Sequence, residues 1–261
     1  MSNSTHSKNK TILITGGASG IGLGIAQQLG ASGHKIIVAD MNMDAAEHAA
    51  AELGAQGISA RALLLDVTNP QQVASLPDTL LPDTVDVLIN NAGIQHVSKL
   101  EDFPADKWQQ LINIMLVAPA MLTQALLPAM RVKNYGRIIN IGSVHSVIAS
   151  PFKSAYVAAK HGLLGFSKTI ALETGDCDVT INTLCPAYVK TPLVEKQIAA
   201  QAKEHGMSEE DVINKIMLEP MPKKSFIDID ELASSAAFLM DNSARNITGQ
   251  TIVIDGGWTA R

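Results

Sequence analysis

A tyrosine and a lysine one helical turn apart are the residues of this sequence with the clearest chemical potential. Tyr156 and Lys160 are four positions apart, so on a helix their side chains share a face. To act as a base at neutral pH, a tyrosine must have its pKa lowered from about 10 to about 7, a difference of about 4 kcal/mol. An ammonium about 4 Å away, at an effective dielectric constant near 20, supplies about that much. The pair could therefore transfer protons, although this spacing alone is more often a packed surface pair.

A glycine-rich segment has the spacing of a turn that binds phosphate. Residues 16–24 read GGASGIGLG, between an apolar run and a helical pattern, and glycines there allow the backbone to approach a pyrophosphate at a helix N-terminus. Eighteen residues after Gly22, the carboxylate of Asp40 could accept hydrogen bonds from an adenosine ribose and repel a 2′-phosphate. This favours NAD over NADP, with an ordinary loop and a solvated aspartate as the alternatives. Asp66 and Val67 close the third apolar run, where they could meet the adenine.

Seven short aliphatic runs alternate with longer helical patterns and predict the elements that position these side chains. Most runs are apolar throughout, as strands buried on both faces of a sheet are. Strands that alternate with helices form right-handed crossovers and a parallel sheet covered on both sides. The predicted fold class is a doubly wound, Rossmann-type α/β sheet in a single domain over 1–261, with 190–230 as a candidate helical lid. The predicted strands are 11–15, 35–40, 62–66, 86–90, 137–142, 179–184 and 251–255.

Composition argues against several classes of partner. The 261 residues carry 25 acidic and 20 basic side chains, a net charge of −5, without a block of either sign, so neither nucleic acid nor anionic lipid is expected as a partner. The uncharged stretch 108–130 is long enough to cross a bilayer, but its glutamines and prolines favour a helix buried in protein, and no membrane association is expected. Residues 1–10 are polar and fit no targeting signal. Cys177 and Cys185 flank a predicted strand and are therefore too far apart to form a disulfide. Two unpaired cysteines suit a reducing compartment, so a cytoplasmic location is expected. No metal site is predicted.

Four ordered motifs resemble those of the short-chain dehydrogenase/reductase family, over nearly the whole chain. They are Thr15-Gly16-x-x-x-Gly20-x-Gly22, Asn90-Asn91-Ala92-Gly93, Ser143 with Tyr156-x-x-x-Lys160, and Asp255-Gly256-Gly257. The resemblance implies that Tyr156 is the general acid/base and that Lys160 lowers its pKa and holds the nicotinamide ribose. It further implies that Ser143 hydrogen-bonds the reacting oxygen and that Asn113 supports a water in the proton path.

The same resemblance implies a binding site for NAD. Ala187 departs from the family pattern, which usually has a glycine beside the nicotinamide, so the cofactor geometry at that turn is open to change. The residues expected to contact the cofactor are Gly16, Ser19, Gly20, Ile21, Gly22, Asp40, Asp66, Val67, Asn91, Ala92, Gly93, Tyr156, Lys160, Pro186, Val189 and Thr191.

Within the family, the resemblance is greatest to the bacterial NAD-dependent dehydrogenases that act on (R)-3-hydroxybutyrate. Segments 93–96, 143–145, 193–197 and 255–261 carry it, together with Lys153. It implies that the substrate carboxylate is held by Gln95, His145, Lys153 and Gln197. An anion in a closed pocket needs several donors and one positive charge, which Lys153 would supply. Each of the four also has an ordinary structural alternative. Gln95 could cap a loop and His145 could be a hydrogen-bonded interior histidine. Lys153 could be a solvated side chain and Gln197 an exposed residue of the lid.

The remaining walls of the expected substrate pocket are aromatic. Tyr188 and Trp258 would enclose the substrate beside Ser143 and Tyr156. Tyr188 stands where this subfamily commonly has tryptophan, and a smaller ring with a hydroxyl would widen the pocket or make it more polar.

The expected reaction is therefore the reversible oxidation of (R)-3-hydroxybutyrate to acetoacetate, with NAD as the hydride acceptor. The alternatives are another short-chain 3-hydroxy acid as substrate, a 3-oxoacyl carrier-protein reductase that uses NADPH, and a dinucleotide-sensing regulator without catalysis. A regulator would be expected to lose Tyr156 or Lys160, and both are present. The family resemblance also implies a homotetramer.

Overall fold

The computed structural model describes residues 9–260, apart from the side chains at positions 193, 200, 204 and 205. Most of the polar amino-terminal segment considered above lies outside the described residues. Seven parallel strands form one sheet in the order β3-β2-β1-β4-β5-β6-β7. The strands are β1 (Thr11–Thr15), β2 (Lys35–Asp40), β3 (Ala60–Leu64), β4 (Val87–Asn90), β5 (Gly136–Ile141), β6 (Val179–Pro186) and β7 (Thr251–Ile254).

Helices cover both faces of the sheet. Successive residues of a strand point to opposite faces, and so Ile12 and Ile14 belong to one buried apolar cluster while Leu13 belongs to the other. Burial on both faces explains the unbroken apolar runs of the sequence. The helices are α1 (Gly20–Ala31), α2 (Met43–Ala55), α3 (Pro70–Ala74), α4 (Leu76–Thr79), α5 (Ala105–Ile112), α6 (Ala118–Lys133), α7 (Ser154–Glu173), α8 (Pro192–His205), α9 (Glu209–Val212) and α10 (Ile229–Met240).

The predicted doubly wound fold is confirmed, with one strand displaced. The third strand ends at Leu64 and not at Asp66. Asp66 leaves the ladder because its Oδ1 accepts hydrogen bonds from the backbone N–H and the hydroxyl of Thr68, at 2.9 and 2.7 Å, and such a local turn competes with strand pairing. Asp66 and Val67 therefore lie in the loop beyond the sheet edge.

The long uncharged stretch forms one nearly continuous helical segment. α5 leads through a π-helical turn at Asn113–Val117 into α6. In length and composition Ala105–Lys133 meets the criteria for a membrane span. Its apolar side chains Leu122, Leu126 and Met130 are buried against the sheet, as expected for a helix of the protein core.

The segment between β6 and α10 has a small core of its own. Ile198 of α8, Val212 of α9 and Met217 are buried together, and Tyr188 and Phe226 pack against them. An isolated bridge between Val189 and Ile227 ties the two ends of the segment together. This construction suits the candidate lid at 190–230, whose closure over the site stays a prediction.

Candidate active site

A cavity of about 570 Å³ opens at the carboxyl ends of the central strands. It lies where the chain connections diverge between β1 and β4, the place where doubly wound sheets bind ligands. All of the site residues predicted from the sequence line it, except Gly22 and Asn113. Among its other lining residues are Gln110 and Ile114, which no motif of the sequence indicated.

The glycine turn forms one end of the cavity. Gly16 and Gly20 have φ angles of +59° and +54°, which side chains rarely adopt. Gly22 lies behind the lining, where an added Cβ would come within 2.4 Å of the Gly16 carbonyl oxygen. The Asn91 amide holds the turn by donating to the Thr15 and Gly16 carbonyls at 2.9 and 3.0 Å. The turn presents the amino terminus of α1 to the cavity, where backbone N–H groups and the helix dipole favour an anion.

Asp40 lies at the end of β2 on the wall of the cavity. Its Oδ1 accepts a hydrogen bond from the backbone N–H of Asn42 at 3.1 Å, which orients the carboxylate. The following residue is the exposed Met41, so this position offers no cation to a phosphate. Asp66 and Val67 line the same end of the cavity. The turn, the carboxylate and the loop are together placed to hold the adenosine diphosphate part of a dinucleotide.

Ser143 and Tyr156 meet at the other end of the cavity. Ser143 follows β5, Tyr156 lies in the first turns of α7, and both residues line the cavity. Burial raises the pKa of Tyr156, and the Ser143 hydroxyl opposes that rise by stabilising the phenolate. The Tyr156 hydroxyl is therefore placed to exchange a proton with an oxygen bound beside Ser143.

Lys160 is oriented by the backbone more than by the tyrosine. Its Nζ donates to the Ile141 carbonyl oxygen at 2.6 Å and lies 5.7 Å from the centre of the Tyr156 ring. The ammonium therefore lies on the tyrosine side of α7, as the spacing of the two residues predicts. Burial lowers the pKa of Lys160 to about 8, which leaves it mainly protonated at neutral pH.

Asn113 does not line the cavity as expected. It begins the π-helical turn, and its side-chain oxygen accepts a hydrogen bond from Gln109 at 2.9 Å. Because the π turn rotates successive residues relative to an α-helix, Ile114 and Met115 face the cavity from this segment. The role of Asn113 in supporting a water of the proton path stays a prediction.

A buried lysine beside the reactive pair has no acidic partner in the part of the chain that the structure describes. Lys153 is 8% exposed and lines the cavity, and burial lowers its pKa. Among the described residues, no carboxylate forms an ion pair with it. A buried ammonium without a counter-ion is unfavourable, so this position is suited to receive an anion from outside.

Two glutamine side chains near this lysine also have unused hydrogen-bonding atoms. Oε1 of Gln95 and Nε2 of Gln197 are buried without a partner in the described structure, although both residues line the cavity. Buried polar atoms are normally paired, and the N and O atoms of an amide are interchangeable by a flip. With Lys153, the two glutamines form a set of unsatisfied groups on three different segments of the chain.

His145 also lines the cavity, but both of its ring nitrogens have partners. Nδ1 lies 3.4 Å from Ser143 Oγ and Nε2 lies 2.8 Å from Ser150 Oγ. Burial, then the charge of Lys153, lowers the pKa of His145 to about 4, so the ring is neutral at physiological pH. To bind a substrate carboxylate, His145 would have to give up one of these hydrogen bonds.

Aromatic rings close the pocket above the histidine. Tyr188 and Trp258 are stacked with centroids 5.9 Å apart, and Trp258 meets His145 edge-on at 6.0 Å. Ala187, at the position of the usual glycine, donates its backbone N–H to Ile254 at 2.9 Å, so the turn after β6 stays attached to β7. Pro186, Val189 and Thr191 line the cavity around this turn.

The parallel sheet, the phosphate turn and the Ser143, Tyr156 and Lys160 group define an oxidoreductase, and the chain belongs to the short-chain dehydrogenase family. The family model described as "short chain dehydrogenase" matches residues 10–202. Members of this family use a nicotinamide dinucleotide. The glycine turn and Asp40 are placed to hold the adenosine diphosphate part of such a cofactor.

Similar proteins include two bacterial enzymes that share one name. The D-beta-hydroxybutyrate dehydrogenase of Rhizobium meliloti is 44% identical over 259 residues, which cover 97% of this chain and 99% of the relative. The enzyme of that name from Cupriavidus necator is 44% identical over 255 residues, covering 97% and 98%. A 3-oxoacyl-(acyl-carrier-protein) reductase of Salmonella typhimurium is 33% identical over 252 residues, covering 96% and 97%.

Proposed function

We propose that this protein is an NAD-dependent dehydrogenase that interconverts (R)-3-hydroxybutyrate and acetoacetate. The observation that carries the proposal is Lys153, a buried ammonium without an acidic partner among the described residues, in the same cavity as Ser143 and Tyr156. Such a site suits a small substrate with a carboxylate at one end and a reactive oxygen at the other. The two relatives named D-beta-hydroxybutyrate dehydrogenase support the choice of substrate.

In the proposed mechanism, each residue acts through a contact that it is placed to make. Lys153, Gln95 and Gln197 hold the carboxylate, and Ser143 donates a hydrogen bond to the oxygen on C3. The Tyr156 phenolate accepts the proton of that hydroxyl, and the cationic Lys160 favours the phenolate and binds the nicotinamide ribose. The dinucleotide supplies the hydride acceptor when bound. Tyr188 and Trp258 exclude water from the methyl end of the substrate.

The proposal is tested by following NADH absorbance with purified protein and a panel of short hydroxy acids and neutral alcohols. We expect (R)-3-hydroxybutyrate to have the largest kcat/KM. Turnover of another alcohol without turnover of 3-hydroxybutyrate would disprove the substrate assignment. Preference for a carrier-bound 3-oxoacyl group with NADPH would favour the reductase alternative, which has a relative at 33% identity. Dinucleotide binding without turnover of any substrate would favour a regulator.

Cofactor choice is expected to depend on Asp40. We expect wild-type protein to prefer NAD, and Asp40→Ser to raise kcat/KM with NADP by roughly 10- to 100-fold, because the like-charge repulsion of the 2′-phosphate is removed. Initial rates with both cofactors measure the ratio. Asp44→Ser, at an acidic residue in the first turn of α2, is the matched control and should leave the ratio unchanged. A wild-type preference for NADP would contradict the role of Asp40.

Substrate length is expected to depend on Tyr188. Its ring stacks on Trp258 in the pocket wall, so Tyr188→Trp should fill space at the methyl end. We expect kcat/KM for the five-carbon 3-hydroxy acid to fall relative to the four-carbon acid by roughly tenfold, the lower end of the effect of one methylene group. The ratio of the two substrates serves as its own control for general damage to the enzyme. An unchanged ratio would show that Tyr188 does not limit chain length.

We also propose that the protein is a cytoplasmic homotetramer. Both cysteines are free, which suits a reducing compartment, and the tetramer is implied by the family resemblance. Sedimentation velocity of the purified protein measures the oligomeric state.

A further inference from the structure

A buried carboxylate just after β7 closes the carboxyl-terminal segment into a turn. Asp255 is 9% exposed, and its Oδ1 accepts a hydrogen bond from the backbone N–H of Gly257 at 2.9 Å. Its Oδ2 accepts hydrogen bonds from the backbone N–H and from the hydroxyl of Thr259, both at 2.7 Å. One side chain therefore fixes the path of the chain from residue 255 to residue 259.

The carboxylate that closes this turn is ionised at neutral pH. Burial by itself would raise the pKa of Asp255, but the hydrogen bonds from Thr259 and Gly257 outweigh burial and lower the pKa. Hydrogen bonds to an ionised acceptor are shorter and stronger than those between neutral groups. The turn is therefore held more firmly than a turn closed by neutral backbone groups alone.

Trp258 lies inside the turn, between the two residues that donate to Asp255. Its backbone N–H donates to the Asp255 carbonyl oxygen at 3.2 Å. Its ring lines the cavity, stacks on Tyr188 with centroids 5.9 Å apart, and meets His145 edge-on at 6.0 Å. The place of the indole in the pocket wall therefore depends on the turn that Asp255 closes.

The candidate lid contacts the same turn from both of its ends. At the far end, the Gly256 carbonyl accepts a hydrogen bond from the backbone N–H of Lys223 at 3.1 Å. An added Cβ at Gly257 would come within 3.2 Å of Pro222, and both glycines have positive φ angles, +59° and +91°. At the near end, the ring of Tyr188 stacks on the indole inside the turn. The pocket wall and the lid therefore share one support.

We propose that Asp255 is a positioning residue that sets which chain length of hydroxy acid the pocket accepts. It acts through Trp258, because the turn holds the indole against Tyr188 and so places the wall at the methyl end of the substrate. The inference rests on the proposed oxidation of a short 3-hydroxy acid. Asp255 itself is not among the residues that line the cavity, so it has no direct contact with the substrate.

Removal of the carboxylate would leave three donors without their acceptor. Unpaired donors that stay buried are unfavourable, so the segment would rearrange until water reaches them. The indole of Trp258 would then leave its stack on Tyr188, and the pocket would become wider at the methyl end.

The indole itself reports whether the turn is closed. The chain has two tryptophans, so in a Trp108→Phe background all tryptophan emission comes from Trp258. We expect Asp255→Ala in this background to shift the emission maximum to longer wavelength and to increase quenching by acrylamide, because the indole moves into water. Thr259→Val removes one hydroxyl donor and keeps a branched side chain, so it should cause a smaller change of the same sign.

The substrate preference should change in parallel with the emission. In Asp255→Ala, the ratio of kcat/KM for the four-carbon 3-hydroxy acid to that for the six-carbon acid should fall roughly tenfold. In Thr259→Val the ratio should fall less. A purely structural role would leave the ratio unchanged, because a loss of folded enzyme lowers both rates equally. KM for NAD should stay near wild type, since the glycine turn lies at the other end of the cavity.

Two control variants separate this role from general effects of mutation. Thr259→Ser keeps the hydroxyl that donates to Asp255 and should behave as wild type. Asp241→Ala removes another turn-forming carboxylate, which accepts a hydrogen bond from the backbone N–H of Ser243 at 2.8 Å and is not a lining residue of the cavity. It should change neither the emission of Trp258 nor the substrate ratio.

Two results would overturn the proposal. Unchanged emission in folded Asp255→Ala and Thr259→Val would show that Trp258 is held in place without this carboxylate. A shifted emission with an unchanged substrate ratio would show that the indole does not limit chain length. Circular dichroism shows whether Asp255→Ala is folded, and if it is not, Thr259→Val decides.

A failure of the proposed function is recognised separately, because it shows in wild-type protein with the substrate panel. The emission of Trp258 does not depend on the identity of the substrate. The length preference is then measured with a short and a long form of the alcohol that the wild type oxidises.

Discussion

Replacing Tyr156 with phenylalanine is expected to lower kcat for alcohol oxidation by roughly 10²- to 10⁴-fold, the usual contribution of a general acid/base. The substitution removes the hydroxyl and leaves the ring packed against His145. Binding of NADH, measured by fluorescence titration, should change little because the phosphate turn and Asp40 lie at the other end of the cavity. Steady-state rates with 3-hydroxybutyrate and NAD measure the effect.

Tyr135→Phe provides the matched control for this substitution. The Tyr135 hydroxyl donates to the Met240 carbonyl oxygen at 3.1 Å, and Tyr135 is not a lining residue of the cavity. The control should lose about 1 kcal/mol of stability, the typical net contribution of one hydrogen bond, and keep its kcat. Retention of most activity by Tyr156→Phe would disprove the proposed proton transfer.

Replacing Lys153 with methionine is expected to raise KM for the hydroxy acid by roughly 100-fold. Loss of one partner from a desolvated, hydrogen-bonded charge pair costs about 3 kcal/mol, which corresponds to roughly a hundredfold change in affinity. The same substitution should increase the free energy of unfolding by about 1 kcal/mol, because a buried ammonium without an acidic partner is replaced by an apolar chain of similar length. Initial rates and denaturant unfolding measure the two effects.

Opposite changes in substrate binding and stability would distinguish a binding residue from a structural one. Lys190→Met, at an exposed lysine outside the cavity lining, is the control and should leave both quantities near wild type. A neutral secondary alcohol of the same length should bind Lys153→Met and wild type about equally. A Lys153→Met variant with unchanged KM for the acid would disprove the carboxylate site.

Local patterns were sufficient to predict the sheet and to identify residues that line one cavity. The predicted bounds of β1 and β2 agree with the structure, because each strand is a continuous apolar run that ends at a glycine turn or a charged residue. Ser143, Tyr156 and Lys160 meet as predicted, since two of them share a helix and the third follows the neighbouring strand. The third strand was placed two residues too late, because the Asp66 side chain folds onto Thr68.

Contacts between distant segments could not be predicted from local sequence patterns. The position of the Lys160 ammonium depends on the Ile141 carbonyl, which accepts its hydrogen bond, and the orientation of Asn113 depended on a π turn without a sequence signal. Ser150 has no motif of its own and was missed. The loop after β5 brings its hydroxyl 2.8 Å from Nε2 of His145.

The sequence by itself determined the class of this protein, because periodicity, the glycine turn and the Tyr156–Lys160 spacing are properties of neighbouring residues. The tertiary structure alone decided which polar groups remain unsatisfied. Gln95, Lys153 and Gln197 come from segments that are far apart in the chain, and their burial without partners follows from packing around one cavity. Burial makes an unpaired polar group energetically costly, so the groups that packing leaves unpaired indicate the chemistry of the proposed ligand.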